Sequence, residues 1–352
     1  MSAPASKPAL PGWPHAHSPF HAGEQALQAR AGVREKMEQF GRKAIRDFMP
    51  EQHRQFFAEL PFIVIGALDG HARPWASILV GVPGFMASPD ARTLRIDALP
   101  AAGDPCGAGL AAGQPVGLLG IQPHTRRRNR MNGIVTETSA GGFAVAVRQS
   151  FGNCPKYIQA RTLALIDGHA SALARRTAQR VGPVLDAAAH ALIEQADTFF
   201  IATASSDLAQ DGAGGIDVSH RGGKPGFVRV SEGGGRALLT VPDFVGNSFF
   251  NTLGNLAVNP RAGLVFVDFA ASDALLLTGT AEVLWDGPAL AAFAGAQRLL
   301  VFAVDESVWL RNAVPLRWSA PALAPELAAT GTWPPHPESV GAGDDTCKKI
   351  LS

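Results

Sequence analysis

Ser77 precedes Pro83-Gly84-Phe85 by six residues, and Ser219 precedes Pro225-Gly226-Phe227 by the same interval. Further on, Gly117-Leu118-Leu119 stands sixteen residues before Gly133-Ile134, and Gly263-Leu264-Val265 stands sixteen before Gly279-Thr280. Arg92-Thr93-Leu94 parallels Arg236-Ala237-Leu238, after a loop that differs by two residues. With 38 glycines and 26 prolines in the chain, chance glycine spacings are frequent, but Ser-x5-Pro-Gly-Phe found twice is a harder coincidence. Matched spacings in one order point to two copies of one unit packed as a pseudo-dimer.

The unit reads as β-rich. Phe62 to Leu68 is a β-branched run ended by Asp69-Gly70, a strand and tight turn. Strand-like pieces follow at 73–82, 92–98, 115–122, 131–138 and 142–148, separated by Gly, Pro or Asp, and the pattern resumes with Thr198 to Thr203. Short strands in succession without helices between them imply an antiparallel sheet closing into a barrel. Leu27, Val33, Met37, Phe40, Ala44 and Phe48 predict an amphipathic helix from Gly23, stopped by Pro50, with a shorter helix over 51–60. Helical periodicity returns over 156–176 and 183–196, where Leu185, Ala189, Leu192 and Ala196 share a face. Residues 1–22, with five prolines and three histidines, and residues 334–352, rich in Pro, Gly and Asp, read as mobile.

Charge narrows the partners. Thirty-one basic residues against 30 acidic ones give a net charge of +1, with no uniformly basic segment, so nucleic acid is not an expected partner. Charged residues make up 17% of the chain, below the roughly 25% of average soluble domains, so much of the chain is expected to be interior. No apolar run reaches the ~18 residues of a membrane helix and no signal peptide is evident, which predicts a cytoplasmic protein with no membrane partner. Cys106, Cys154 and Cys347 form no C-x-x-C pair, so any redox cofactor is held without thiolates. His15, His17 and His21 sit on no expected element, and no metal site is predicted. G-x-S-x-G, H-E-x-x-H and P-loop patterns are absent, leaving hydrolase and nucleotide-triphosphatase readings without a foothold.

The stretch Asp217 to Val230, followed by Leu239-Thr240-Val241-Pro242-Asp243-Phe244-Val245-Gly246-Asn247 and by Leu256 to Leu264, resembles the flavin-nucleotide-binding proteins related to pyridoxamine 5′-phosphate oxidase. Phe151-Gly152-Asn153-Cys154-Pro155-Lys156-Tyr157-Ile158 and Asn312-Ala313-Val314-Pro315-Leu316-Arg317-Trp318 are similar to signatures of a tandem two-barrel branch of that family. The resemblance implies a β-rich α+β chain of two tandem split β-barrels with N-terminal and connecting helices. Its expected divisions are a disordered N-terminus (1–22), N-terminal helices (23–60), first barrel (61–155), connecting helices (156–197), second barrel (198–318) and C-terminal tail (319–352).

The resemblance also implies FMN as cofactor, and hydride or electron transfer involving an unidentified small molecule or a donor such as NAD(P)H. A flavin mononucleotide needs anion donors, hydrogen bonds to its ring edge and an apolar platform. Transferred onto this sequence, the phosphate pocket takes Arg229, Asp243, Gly246, Asn247 and Ser248, the last three opening a short helix whose N–H groups bind phosphate. Ser219, His220 and the backbone at Phe227 then face the ring. Basic residues often follow the Gly-Asn of this loop, yet Asn247 is followed by Ser248-Phe249-Phe250. Lys224, Arg221 or Arg229 are the candidate replacements. The segment with which pyridoxamine phosphate oxidases hold their substrate is absent, which argues against that specific activity.

The first unit carries its own candidates: Arg128 within the run Arg126 to Arg130, and Asn153 with Lys156, where Asn153 would cap a helix. The bland alternatives are a solvated hairpin tip and an ordinary helix start. A non-catalytic flavin carrier or redox sensor stays open beside the enzyme, as do haem or a deazaflavin on the same fold. One chain can supply both walls of a site, and pairing of two chains into a homodimer is left open.

Overall fold

The computed structural model describes residues 10–206 and 213–334. The remainder of the two ends, with Cys347, lies outside the described residues. Two large antiparallel sheets dominate, with a few helices. The first holds β1 (Phe62–Leu68), β2 (Pro74–Val80), β3 (Met86–Asp90), β4 (Thr93–Ile96), β5 (Pro115–Gln122), β6 (Arg127–Ser139) and β7 (Gly142–Gly152), in the order β2-β1-β5-β6-β7-β4-β3. β8 (Leu163–Leu165) and β9 (Thr177–Arg180) follow. The second sheet holds β10 (Thr198–Ala204), β11 (Ile216–Gly222), β12 (Arg229–Gly233), β13 (Arg236–Asp243), β14 (Arg261–Asp268), β15 (Asp273–Leu284) and β16 (Arg298–Arg311), in the order β11-β10-β14-β15-β16-β13-β12. Numbered from its own first strand, each sheet has the same order.

Their registers match as well. Gly117 pairs with Asn132 as Gly263 pairs with Thr278, and both long hairpins bulge at the next step, between Asn132 and Gly133 and between Thr278 and Gly279. A β-bulge bends and twists the strand carrying it, so each sheet coils at the same place. Neither closes into a barrel by hydrogen bonding: β2 and β3 end the first path, β11 and β12 the second. One sequence equivalence moves by a residue. Leu94 pairs with Val145 and Leu239 with Phe302, so, counted from the bulge, Leu94 corresponds to Leu239 rather than Leu238. Both leucines are fully buried, and alternation of faces leaves no freedom for a one-residue slip.

The sheets meet through β1, β2 and β5 of the first and β10, β11 and β14 of the second. Glycine lets the backbones touch. A Cβ on Gly117 would lie 2.4 Å from the carbonyl oxygen of Ile216, and one on Gly263 would lie 2.5 Å from that of Pro74. Pro74 and Ile216 both end the hairpin register of their sheets, paired with Leu68 and Ala204, so the contact is reciprocal about a pseudo-twofold axis.

The expected single N-terminal helix is two, α1 (Ala22–Arg30) and α2 (Arg34–Ala44), broken at Gly32, whose φ of 69° is left-handed. α3 (Glu51–Glu59) stands where periodicity placed it. Part of the N-terminus expected to be mobile is packed: Trp13 and Phe20 are buried, and His21 caps α1 in a capping box with Glu24. The region expected to form connecting helices differs most. Residues 153–158 are irregular with Tyr157 at φ 62°, β8 pairs with β17 (Leu316–Trp318), β9 pairs with β16, and only the short α4 (His169–Ala174) and α5 (Ala187–Gln195) are helical. Within 156–176, where periodicity suggested a helix, Ile158, Leu163 and Leu165 reach the core of the first sheet from non-helical chain and Leu173 from α4. Two further helices complete the fold, α6 (Asn251–Val258) between β13 and β14 and the one-turn α7 (Pro288–Ala291). Beyond β17, Leu327 is buried and the chain to Pro334 lies against the second sheet; nearly all of the end expected to be mobile, 334–352, lies outside the described residues.

Candidate functional site

A cleft of about 180 Å³ opens at the seam, lined by residues from both sheets. From the first sheet come Leu119 on β5, Arg128 and Arg130 on β6, and Asn153-Cys154 just after β7. Arg128, Arg130 and Asn132 are spaced by two, so the pleat turns all three to one face, toward β11. The second sheet contributes Ser219, His220 and Arg221 on β11, the stretch from Asp243 to Ser248, Phe250 to Leu253 at the start of α6, and Gln297-Arg298 at the start of β16.

α6 begins at Asn251, three residues beyond the Gly246-Asn247-Ser248 motif that was expected to open it. Ser248 and Phe250 have φ near +62° and +64°, an unfavourable conformation for side chains this size, with Phe250 as N-cap. The burial of Phe249 between them explains it: its ring packs on Phe20, Phe40 and Phe151, pulling the loop inward. Glu24 of α1 then accepts a hydrogen bond from Asn251 Nδ2, and Gln28 Nε2 donates to the Phe249 carbonyl, so the N-terminal arm holds the start of α6 from behind.

Four guanidinium groups and one carboxylate, Asp243, line the cleft. Asp243 bridges two of them, accepting from Arg221 Nη1 and, at 2.9 Å, from Arg298 Nε. Arg130 is paired with Asp217 at 3.0 Å and donates to Ser219 Oγ and to the Val218 carbonyl. Among the described residues Arg128 pairs with no carboxylate: its Nε donates 2.7 Å to the Cys154 carbonyl and its Nη1 makes a long 3.4 Å contact with that of His220. Loss of hydration, with Arg130 and Arg221 nearby, lowers its guanidinium to about 10.

Three side-chain nitrogens of the lining are shielded from solvent and have no partner among the described residues: Asn153 Nδ2, Arg221 Nε and His220 Nδ1. His220 is buried, and burial together with Arg128, Arg221 and Arg161 holds its imidazole well below the ordinary range, so it is neutral at neutral pH. Orphaned polar atoms in a buried site are costly unless something satisfies them. With the backbone N–H groups at the start of α6 added, the arrangement suits an anion carrying several acceptor oxygens.

Of the residues singled out from sequence, the cleft gathers Arg128, Asn153, Ser219, His220, Asp243, Gly246, Asn247 and Ser248. Four lie elsewhere. Phe227 is buried against Phe199 in the core of the second sheet, and its carbonyl accepts from Trp333 Nε1. Lys224 Nζ donates to the Thr330 carbonyl, and Arg229 lies over the Trp333 ring and donates to the Pro334 carbonyl, so both bind the C-terminal segment. Lys156 is outside because no helix starts there. Of the three candidate replacement cations, Arg221 is the one in the cleft. Sequence reasoning had Arg130 in the candidate run 126–130 but chose Arg128 from it, and it missed Arg298, Asn251 and Thr252. For Arg130 a signal existed, its two-residue spacing from Arg128 on a strand; Arg298 reaches the cleft only through the pairing of β16 with β13, where it sits opposite Asp243.

No family model matches the chain, and no curated protein does. Among solved structures, HupZ of Group A Streptococcus aligns over 35% of this chain and 92% of its own at 14% identity, with a TM-score of 0.27. A Clostridium acetobutylicum protein related to general stress protein 26, of the pyridoxinephosphate oxidase family, aligns over 36% and 88% at 15% identity, TM-score 0.23. The heme storage protein HutZ of Vibrio cholerae aligns over 32% and 84% at 12% identity, TM-score 0.21. Similarity this low assigns neither a fold nor a ligand to the chain.

Proposed function

We propose that the seam cleft binds the phosphate end of FMN, and that the chain is a flavoprotein built from two copies of a split-barrel unit and exchanging hydride or electrons with a small molecule. The observation that carries this is the charge arrangement: four guanidinium groups against one lining carboxylate, with Arg128 bonded to carbonyl oxygens alone. The motif resemblance of 217–264 to flavin-nucleotide-binding proteins supplies the identity of the phosphorylated ligand.

The residues fit such a group at its anionic end. Arg128, Asn153 Nδ2 and the N–H groups of α6 would hold the phosphate, while Asp243 keeps Arg221 and Arg298 oriented across from them. Leu119, Phe244, Phe250 and Leu253 form the apolar wall. At about 180 Å³ the cleft is below the roughly 300–1,000 Å³ of pockets that bury a whole drug-sized ligand, and it suits the phosphate end of a nucleotide. His220, neutral and unpaired at Nδ1, offers a hydrogen bond to an uncharged polar group and is not a general acid at neutral pH. FMN, when bound, supplies the hydride or one-electron chemistry; the protein contributes position, charge and exclusion of water.

Purified protein is expected to be yellow and to release FMN on denaturation. A colourless preparation that also takes up no added FMN would contradict the proposal. Reduction of the bound flavin by NADH or NADPH, followed by turnover with an acceptor, separates an enzyme from a carrier.

A further inference from the structure

The matched registers allow the seam to be compared with its own counterpart. Counted from the shared bulge, Asn132 corresponds to Thr278, Arg130 to Leu276 and Arg128 to Ala274. On the facing strands, Ser219 corresponds to Ser77, Asp217 to Trp75 and His220 to Ile78. Asn132 donates 2.8 Å to Asp217 across one seam, and Thr278 Oγ1 donates 2.9 Å to the Pro74 carbonyl across the other, so the two places are built alike.

Their contents are opposite. Where the cleft has two arginines, the counterpart has Ala274 and Leu276, 1% and 0% exposed. Where the seam beside the cleft has Asp217, the counterpart has the fully buried indole of Trp75. Ser77 donates 2.5 Å to Asp104, and Cys106 Sγ contacts the Trp75 carbonyl at 3.5 Å, so the segment between β4 and β5 seals the space that the loop before α6 leaves open on the other side. An anion brought there would meet a buried carboxyl and aliphatic carbon, and the cation nearby, Arg176, already faces Asp104 and donates to the Leu99 carbonyl.

The structure assigns the chain one phosphorylated ligand, held at the Arg128–Arg130 seam, with the equivalent seam closed; the residues deciding between them are the pairs Arg128/Ala274 and Arg130/Leu276. This rests on the flavin-phosphate reading of the cleft. The chain is then asymmetric in function although duplicated in form: one seam binds, and the other bolts the two sheets together.

The test is a fluorescence titration of flavin-free full-length chain with FMN, giving stoichiometry and affinity, repeated on Arg128→Met and Asn153→Ala. Asn153 lies after β7 with its amide unpaired, so its loss leaves the fold intact even if Arg128→Met does not. One equivalent per chain, weakened roughly 10- to 100-fold by Arg128→Met and less by Asn153→Ala, supports the assignment. Two equivalents, or one equivalent with affinity unchanged in both variants, overturns it while leaving FMN binding itself standing. No uptake overturns the flavin reading and this inference together.

Discussion

Arg130 and Asp217 form a buried ion pair of 3.0 Å that crosses from the first sheet to the second directly beside the cleft. Asp217 also accepts from Asn132 at 2.8 Å and from Asn255 at 2.9 Å, so both of its oxygens are engaged. Burial lowers the Arg130 guanidinium, with Asp217 and Glu24 opposing, and the pair is worth most as a unit. Asp217→Ala strands a buried cation and is expected to cost roughly 3–5 kcal/mol in urea denaturation. Removing Glu38, which pairs with Arg34 and Arg42 on the N-terminal helices, should cost no more than about 1 kcal/mol. Equal costs at the two places would refute the seam's dependence on this pair.

Glycine is required where the sheets touch. Gly117→Ala and Gly263→Ala each press a methyl group to within about 2.5 Å of facing backbone, and each is expected to destabilise by roughly 1–3 kcal/mol or more. Gly70, with open space around it, serves as control, and Gly70→Ala should change stability by less than about 0.5 kcal/mol. Thermal melts of the three variants decide the matter; a neutral Gly117→Ala would mean the seam has slack.

Among the buried groups that couple stability to pH, Glu24 and His220 included, Asp104 and His53 act in opposite directions. Burial raises the Asp104 carboxyl to about 6, above its unfolded value near 3.9, so its contribution is full below about pH 4 and is lost as pH rises through 6. Burial, with Arg127 and Arg46 nearby, lowers His53 to about 4, below its unfolded value near 6.5, so its contribution is full above about pH 6.5 and is lost as pH falls toward 4. Each shift is worth up to roughly 3 kcal/mol, and over about pH 4 to 6 they largely cancel. In Asp104→Asn the first vanishes, so from about pH 4 to pH 6.5 its stability in urea denaturation should gain up to about 3 kcal/mol relative to wild type. A profile identical to wild type would show that Asp104 is not the group responsible.

Glu24 is fully enclosed behind α6, where burial, with Asp217 nearby, pushes its carboxyl well above the usual range. A neutral group at this position should be interchangeable with an amide. Glu24→Gln is expected to change stability by less than about 1 kcal/mol, whereas Glu24→Ala, which orphans Asn251 Nδ2 and leaves a void, should cost roughly 2–4 kcal/mol. Hydrogen exchange on α6 would show the difference directly, as faster exchange in the alanine variant alone.

The parts of the fold legible in sequence were those with local causes. Strands β1 and β5 and the two Ser-x5-Pro-Gly-Phe corners announce themselves through β-branched runs and turn residues, and the glycine pairs 117/133 and 263/279 mark places where backbone must pass close to backbone. The stretch 156–176 misleads because apolar spacing near four says nothing of what the residues pack against; Leu163 and Leu165 are claimed by β17. At the site, local motifs found Arg128, Asn153 and the Asp243 to Ser248 loop. Arg298 and the burying of Phe227 depend on pairings of β16 and packing of the C-terminal segment, which no spacing encodes.

A seam that grips a phosphate distinguishes FMN from riboflavin, which lacks one. Titration of flavin-free protein with FMN and with riboflavin, at low and at high salt, tests it most directly. The account predicts that FMN binds roughly 10- to 100-fold more tightly than riboflavin, and that this advantage shrinks as salt rises. Equal affinities for the two flavins at low salt would contradict it.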